Sequence, residues 1–202
     1  MTFVLATANP GKVNEMREIL NGEGIDIVSR YELGIDIDIP ETGSSFMDNA
    51  ILKARAICGA AGLPAIADDS GLMVDSLDGA PGVYSSTFGG EALSDAERCE
   101  HLIGAMKDME QRRAKFVCTI VCIFPDGSTL SAQGECHGEI ADVPRGAGGF
   151  GYDPLFVVDG LNKTMAELSV KEKNSISHRG SALREFSSML AQFMAMRRGT
   201  FL

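Results

Sequence analysis

Two carboxylates stand side by side at Asp68-Asp69, inside the stretch Leu63–Asp75, LPAIADDSGLMVD. A short apolar run, Ala65-Ile66-Ala67, precedes them, and a second, Leu72-Met73-Val74, follows. Adjacent acids suit a strand interior poorly, because like charges repel and neighbouring residues face opposite sides of a sheet. Where a buried strand opens into a turn, here expected at Ser70-Gly71, they become hard oxygen ligands on a rigid stem. Mg²⁺ takes one or two carboxylates together with waters and substrate phosphates. A solvated strand-turn-strand with two surface acids accounts for the same residues, so the pair acquires meaning only from its surroundings.

The second chemical feature is an anion site. Phe3–Ala6 reads as a buried strand, Thr7-Ala8-Asn9-Pro10-Gly11 as a loop, and from Lys12 the apolar residues Val13, Met16, Ile19 and Leu20 share a helical face, with Asn21-Gly22 as its end. A strand, a tight loop and a helix N-terminus direct backbone N–H groups and the positive dipole end at one place. Lys12 adds a charge, and Thr7 and Asn9 add polar donors. The loop is not a Walker A motif, which needs an earlier glycine and Ser or Thr where Val13 stands. An ordinary strand-to-helix connection is the competing reading.

Other patterns carry less. Asp36-x-Asp38 is reminiscent of phosphatase nucleophiles, but no buried strand feeds it, and its alternation reads as an edge strand closing on Glu41-Thr42-Gly43. Gly146-x-Gly148-x-x-Gly151 matches the dinucleotide fingerprint in form only. It precedes the strand-like Leu155–Val158 instead of following a strand and opening a helix. Glycines at that density still permit close approach of a flat ligand, with Phe150 and Tyr152 offering aromatic faces and Asp153 a carboxylate. Lys173, His178 and Arg179 place three basic side chains within seven positions.

The elements that must position these groups follow from periodicity. Ile25–Val28 reads as a strand. Ser44-Ser45 caps a helix whose buried stripe is Phe46, Ala50, Ala54, Ile57 and Ala61, with Asn49 and Lys53 on another face that could look toward Glu41. A turn-dense loop, GAPGVYSSTFGGE, leads to a helix over 94–106. Lys115–Phe124 and Thr129–Ile140 form a hairpin around Pro125-Asp126-Gly127, expected at the centre of a sheet. Short helical turns over 164–168 and 170–174 precede a final helix with Leu183, Phe186, Leu190, Phe193 and Met194 inward. The pattern is α/β, a mixed sheet with a cleft between two lobes.

Composition limits the function. The 202 residues suffice for one large or two-lobed domain, and 45% hydrophobic content supplies a core without staples. A net charge of −10 argues against nucleic acid or an anionic membrane as partner. The five cysteines form no CxxC pair and lie apart from useful histidines, which points to reduced thiols in a cytoplasmic protein and away from zinc. No signal-peptide layout or bilayer-length apolar run is present.

The ordered set TANPGK, ETG, FMDNAILKA, PAIADDSGL, GAPGVYS, GGFGYDPLF and KNSISHRG resembles the inosine/xanthosine triphosphate pyrophosphatase family over nearly the whole chain. The resemblance implies Mg²⁺-dependent hydrolysis of ITP, dITP and XTP to monophosphate and pyrophosphate, which cleanses the nucleotide pool. It implies an elongated mixed sheet flanked by helices, one two-lobed domain over 1–202, a central substrate cleft and a homodimer. It assigns phosphate contacts to Thr7, Ala8, Asn9, Pro10, Gly11, Lys12 and Lys53, with Ser70 beside them. It assigns metal binding to Glu41, Asp68 and Asp69, with Asp69 as the catalytic base. Base and sugar contacts fall on Phe150, Gly151, Tyr152, Asp153, Lys173, His178 and Arg179, and Arg179 is expected to donate to an oxygen at purine C6. Thr87 stands where many relatives carry a basic residue. Two other functions compete: a regulator that binds a triphosphate without cleaving it, and a pyrophosphatase of ordinary or pyrimidine triphosphates. Against the regulator, three clustered acids would repel a triphosphate unless metal bridged them.

Overall fold

In the computed structural model, which describes residues 1–7, 9–20 and 25–199, the apolar run at the N-terminus becomes β1 (Thr2–Leu5), with Phe3, Val4 and Leu5 all buried. A strand covered on both faces needs such an uninterrupted run. β1 lies between two parallel partners, β2 (Asp26–Ser29) and β3 (Ala65–Val74), reached through α1 (Pro10–Leu20) and α2 (Phe46–Ala61). After α3 (Asp95–Ala105) come β4 (Arg113–Ile123), β5 (Thr129–Ile140) and the three-residue β6 (Phe156–Val158), antiparallel to β5. The sheet order is β2-β1-β3-β4-β5-β6, mixed in direction. α4 (Val170–Ile176) and α5 (His178–Gly199) close the chain.

The chain divides into two compact units. The first comprises Met1–Asp69, Cys118–Gly134 and everything from Arg179 onward; the second comprises Ser70–Val117 and Glu135–His178. In the first unit the period-2 alternation of the strands builds two cores. Phe3, Leu5, Ile66, Cys118, Ile120 and Cys122 pack with α1 and α5, while Val4, Ala65, Ala67, Val121 and Ile123 pack with α2. Cys118 and Cys122 share a face, as their spacing predicts. The second unit has its own core, including Leu72, Val74, Leu102, Phe116, Tyr152 and Phe156.

Three expectations are corrected. β3 does not turn at Ser70-Gly71 but continues as one strand of 10 residues to Val74. The segment 35–43, expected as an edge strand, forms no strand; after Gly34, in the left-handed region at φ 69°, it runs without regular structure to the cap of α2. α1 begins at Pro10, two residues before the expected start, since proline's fixed φ and missing N–H suit a first helical position. The expected helix end at Asn21-Gly22 lies outside the described residues. The hairpin turn is found as read, with Phe124 N–H donating to Ser128 O and Gly127 N–H to Phe124 O. Of the hairpin, β4 stands at the centre of the sheet and β5 beside it, between β4 and the edge strand β6.

Candidate active site

Alternation along β3 sends its two acids to opposite sides, and each meets a separate set of cations. Asp69 follows Ala65 and Ala67 to the α2 side. Its Oδ1 accepts from Lys53 Nζ at 2.7 Å and its Oδ2 from Asn49 Nδ2 at 3.2 Å. Lys53 Nζ also reaches Glu41 Oε1 at 3.3 Å. Asn49 and Lys53 come from successive turns of α2, whose start is fixed by the Ser45 hydroxyl accepting from Asp48 N–H. Both are buried, so this helix face is not the solvated one that composition allows.

Asp68 follows Ile66 to the α1 and α5 side. Its Oδ2 accepts from Lys12 Nζ at 2.9 Å and Arg179 Nε at 3.3 Å. Arg179 NH1 donates to Glu15 Oε2 at 2.5 Å, and the guanidinium is only 2% exposed. The sequence reading set Arg179 against a purine edge; in the structure these donors are aimed at Asp68 and Glu15. Asp68 Oδ1 has no hydrogen-bond partner among the described residues.

Burial resists ionisation of Asp68, yet Lys12, Arg179 and Lys53 hold its pKa well below the ordinary carboxylate range. Burial equally opposes the charge on Arg179, which Asp68 and Glu15 help to hold above its usual value. At Asp69 burial prevails and raises the pKa, with Glu41 adding to the rise and Lys53 opposing it. Lys53 is itself raised, because Asp69, Asp68 and Glu41 outweigh the cost of burying the ammonium. Burial and partners thus shift the two neighbouring acids in opposite directions.

The loop after β1 is more occupied than a bare anion site. Asn9 Oδ1 accepts from Gly11 N–H at 2.9 Å and Lys12 N–H at 3.2 Å, and Thr7 Oγ1 accepts from Asn9 N–H at 3.2 Å. Asn9 thus caps the helix that Pro10 opens, and takes two of the backbone donors that the sequence reading left for an anion. Ala8 lies outside the described residues.

In the second unit a different cluster forms. Asp153 accepts from Phe150 N–H at 2.9 Å and from Lys173 Nζ at 2.8 Å, and that ammonium lies 4.5 Å from the centre of the Phe150 ring. Gly149, at φ 75°, has no room for a side chain: a Cβ there would stand 2.0 Å from Asp153 Oδ2. Gly151 N–H donates to Asp95 Oδ2 at 2.7 Å. Tyr152 is interior, its hydroxyl donating to Ser85 O at 3.0 Å, so its ring is core and not the open face its sequence context suggests. Ser70 is half-buried in β3, and His178 stacks on Phe116 at 4.7 Å.

The described residues hold no group of three or more His, Cys, Asp or Glu arranged to bind a metal ion. The donor chemistry nonetheless fits a hard divalent cation. Glu41 and Asp69 are oxygen ligands already drawn to one positive charge, the Lys53 ammonium, and Mg²⁺ asks for few carboxylates beside substrate phosphates. Asp68, on the other face of β3, does not join that pair.

Glu15 was not singled out by sequence, and Asn49 was singled out without its partners. Glu15 is visible only as the residue three past Lys12 on α1, hence on its face. Asn49 was placed beside Lys53, but nothing in the sequence says that its amide spans two partners.

A profile of the Ham1 family matches residues 3–189. A protein of Bacillus subtilis named dITP/XTP pyrophosphatase is 47% identical over 189 residues, covering 93% of this chain and 96% of its own. One from Escherichia coli K12 with the same name is 49% identical, covering 90% and 93%. The structure of a HAM1 protein from Coxiella burnetii superposes with a TM-score of 0.89 at 44% identity, covering 95% of this chain and 99% of that one. A Mycobacterium abscessus structure described as a nucleoside-triphosphatase, dITP/XTP pyrophosphatase, gives 0.76 at 41% identity, covering 92% and 98%.

Proposed function

The chain belongs to the Ham1 family, and from that premise we propose that it hydrolyses non-standard purine nucleoside triphosphates, dITP, ITP and XTP, to the monophosphate and pyrophosphate. The observation that carries the reading is the setting of Asp69: a buried carboxylate fixed by Lys53 and Asn49 beside the half-exposed Glu41. Asp69 takes a proton from water as the water oxygen bonds to the α-phosphorus. The bridging bond to the β-phosphate breaks, and its electron pair leaves with pyrophosphate.

Glu41 and Asp69 are the proposed holders of a divalent cation, Mg²⁺ by preference; when bound, it neutralises phosphate charge and polarises the P–O bonds. Lys12 and Lys53, with Thr7, Asn9, Pro10, Gly11 and Ser70, serve the phosphates. The function of Asp68, together with Arg179, is to hold Lys12 in place. Phe150, with Gly151, Tyr152, Asp153 and His178 as its frame, is the proposed base platform, and Lys173 the donor to the purine. An ammonium only donates. It therefore suits the oxygen at C6 of hypoxanthine or xanthine and not the amino group of adenine. Five free, buried cysteines and the net charge of −10 support a cytoplasmic protein that engages neither nucleic acid nor membrane. Among the described residues no helix is long and apolar enough to cross a membrane. The homodimer is part of the proposal, and a sedimentation mass of twice 21.5 kDa checks it.

Pyrophosphate release from a panel of triphosphates, with and without Mg²⁺, tests the reading. ITP, dITP and XTP should exceed ATP by at least about 100-fold in kcat/KM, because a site built to hydrogen-bond one group rejects the analogue lacking it. Equal rates for ATP, or for pyrimidine triphosphates, would overturn it.

A further inference from the structure

We propose that Asn49 is a positioning residue for hydrolysis, keeping Asp69 and the segment that bears Glu41 in fixed register; the inference rests on the reading of Asp69 as proton acceptor. Asn49 is 1% exposed. Its two amide atoms serve different partners: Nδ2 donates to Asp69 Oδ2 at 3.2 Å, and Oδ1 accepts from Gly43 N–H at 2.8 Å. The orientation of the amide follows from chemistry. A flipped amide would set its carbonyl against a carboxylate and its NH₂ against an N–H, repulsive at both ends. Gly43 stands two residues after Glu41, at the end of the stretch 35–43 that lacks regular structure of its own. One rigid planar group therefore ties the irregular segment to the strand acid.

The position of Gly43 shows how closely the segment is drawn in. A Cβ there would stand 2.5 Å from Asp48 Cβ, 2.7 Å from Asn49 Oδ1 and 2.9 Å from Asn49 N. Only glycine permits that approach. At the Asp69 end, Lys53 alone cannot fix the carboxylate's rotation, because the same ammonium is shared with Glu41. With Asn49 on Oδ2 and Lys53 on Oδ1, the carboxylate plane is set. Aspartate at position 49 would keep the acceptor for Gly43 but replace the donor with a like charge. Alanine would supply neither.

A double-mutant cycle with kcat and KM for ITP tests this. Asn49→Ala should lower kcat by about 10–100-fold, the range for residues that orient a reactive group, with KM within about threefold. In an Asp69→Asn background the same substitution should cost less than about threefold further, because it acts through a carboxylate already removed. Asn49→Asp, which keeps the acceptor for Gly43 N–H and serves if the alanine variant does not fold, should lose kcat at least as far, with a lowered Tm from the like charge set beside Asp69. An equal loss in both backgrounds, or wild-type kcat in Asn49→Asp, would overturn the inference. Wild-type turnover in Asp69→Asn would instead remove the catalytic assignment on which it stands.

Discussion

At the scale of single residues, the two neighbouring acids part company. Asp69 is raised by burial and must be ionised to accept a proton. Turnover should therefore fall as pH drops, with a midpoint above the 3.8 of a free aspartate. Asp69→Asn should lose at least about 100-fold in kcat at neutral pH with folding intact, the lower range for acid–base catalysis. Asp68 behaves in the opposite way. Its folded pKa is depressed, so its contribution to stability is present above the unfolded value and is lost as pH falls through the folded one. Asp68→Asn leaves Lys12 and Arg179 facing a neutral group in a buried site. Denaturant unfolding should show a loss of about 3 kcal/mol at pH 7, which begins to shrink only as pH falls below the 3.8 of a free aspartate. An unchanged midpoint at pH 7 would show that the cations do not depend on Asp68.

At the scale of elements, the loop 146–153 carries its function through its shape. Gly149→Ala would drive a methyl into Asp153, whose carboxylate holds both Phe150 N–H and Lys173. KM for ITP should rise at least about tenfold, a loss of binding energy near 1.4 kcal/mol, with kcat changed less. A variant with wild-type KM would mean that the Asp153 bracket does not shape the base site. Most of the elements themselves were legible in the sequence: apolar runs for β1 and β4, helical stripes for α2 and α5, Pro-Asp-Gly for the hairpin turn. The continuation of β3 was not. Adjacent acids forbid a strand only if both remain unpaired, and their partners, Lys12 and Arg179 for one and Lys53 and Asn49 for the other, come from three different helices. The same distance in sequence hid the pairing of Arg179 with Glu15, 164 residues away. The irregular stretch 35–43 was misread for the converse reason: its alternation is that of a strand, but no neighbouring strand pairs with it.

At the scale of the whole molecule, the first unit gathers cations from three helices around the two acids of β3, and the second frames Phe150 with Lys173 and Asp153. The account requires that this chemistry act at the α-phosphorus; attack at the β-phosphorus would break the same bridge and release the same two products, but would leave the water oxygen in the pyrophosphate. Hydrolysis of ITP in ¹⁸O-water, with the products separated and weighed by mass spectrometry, tests the claim directly. The account predicts one ¹⁸O in inosine monophosphate, unlabelled pyrophosphate and no orthophosphate. Label in the pyrophosphate with none in the monophosphate, or release of orthophosphate with inosine diphosphate, would contradict it.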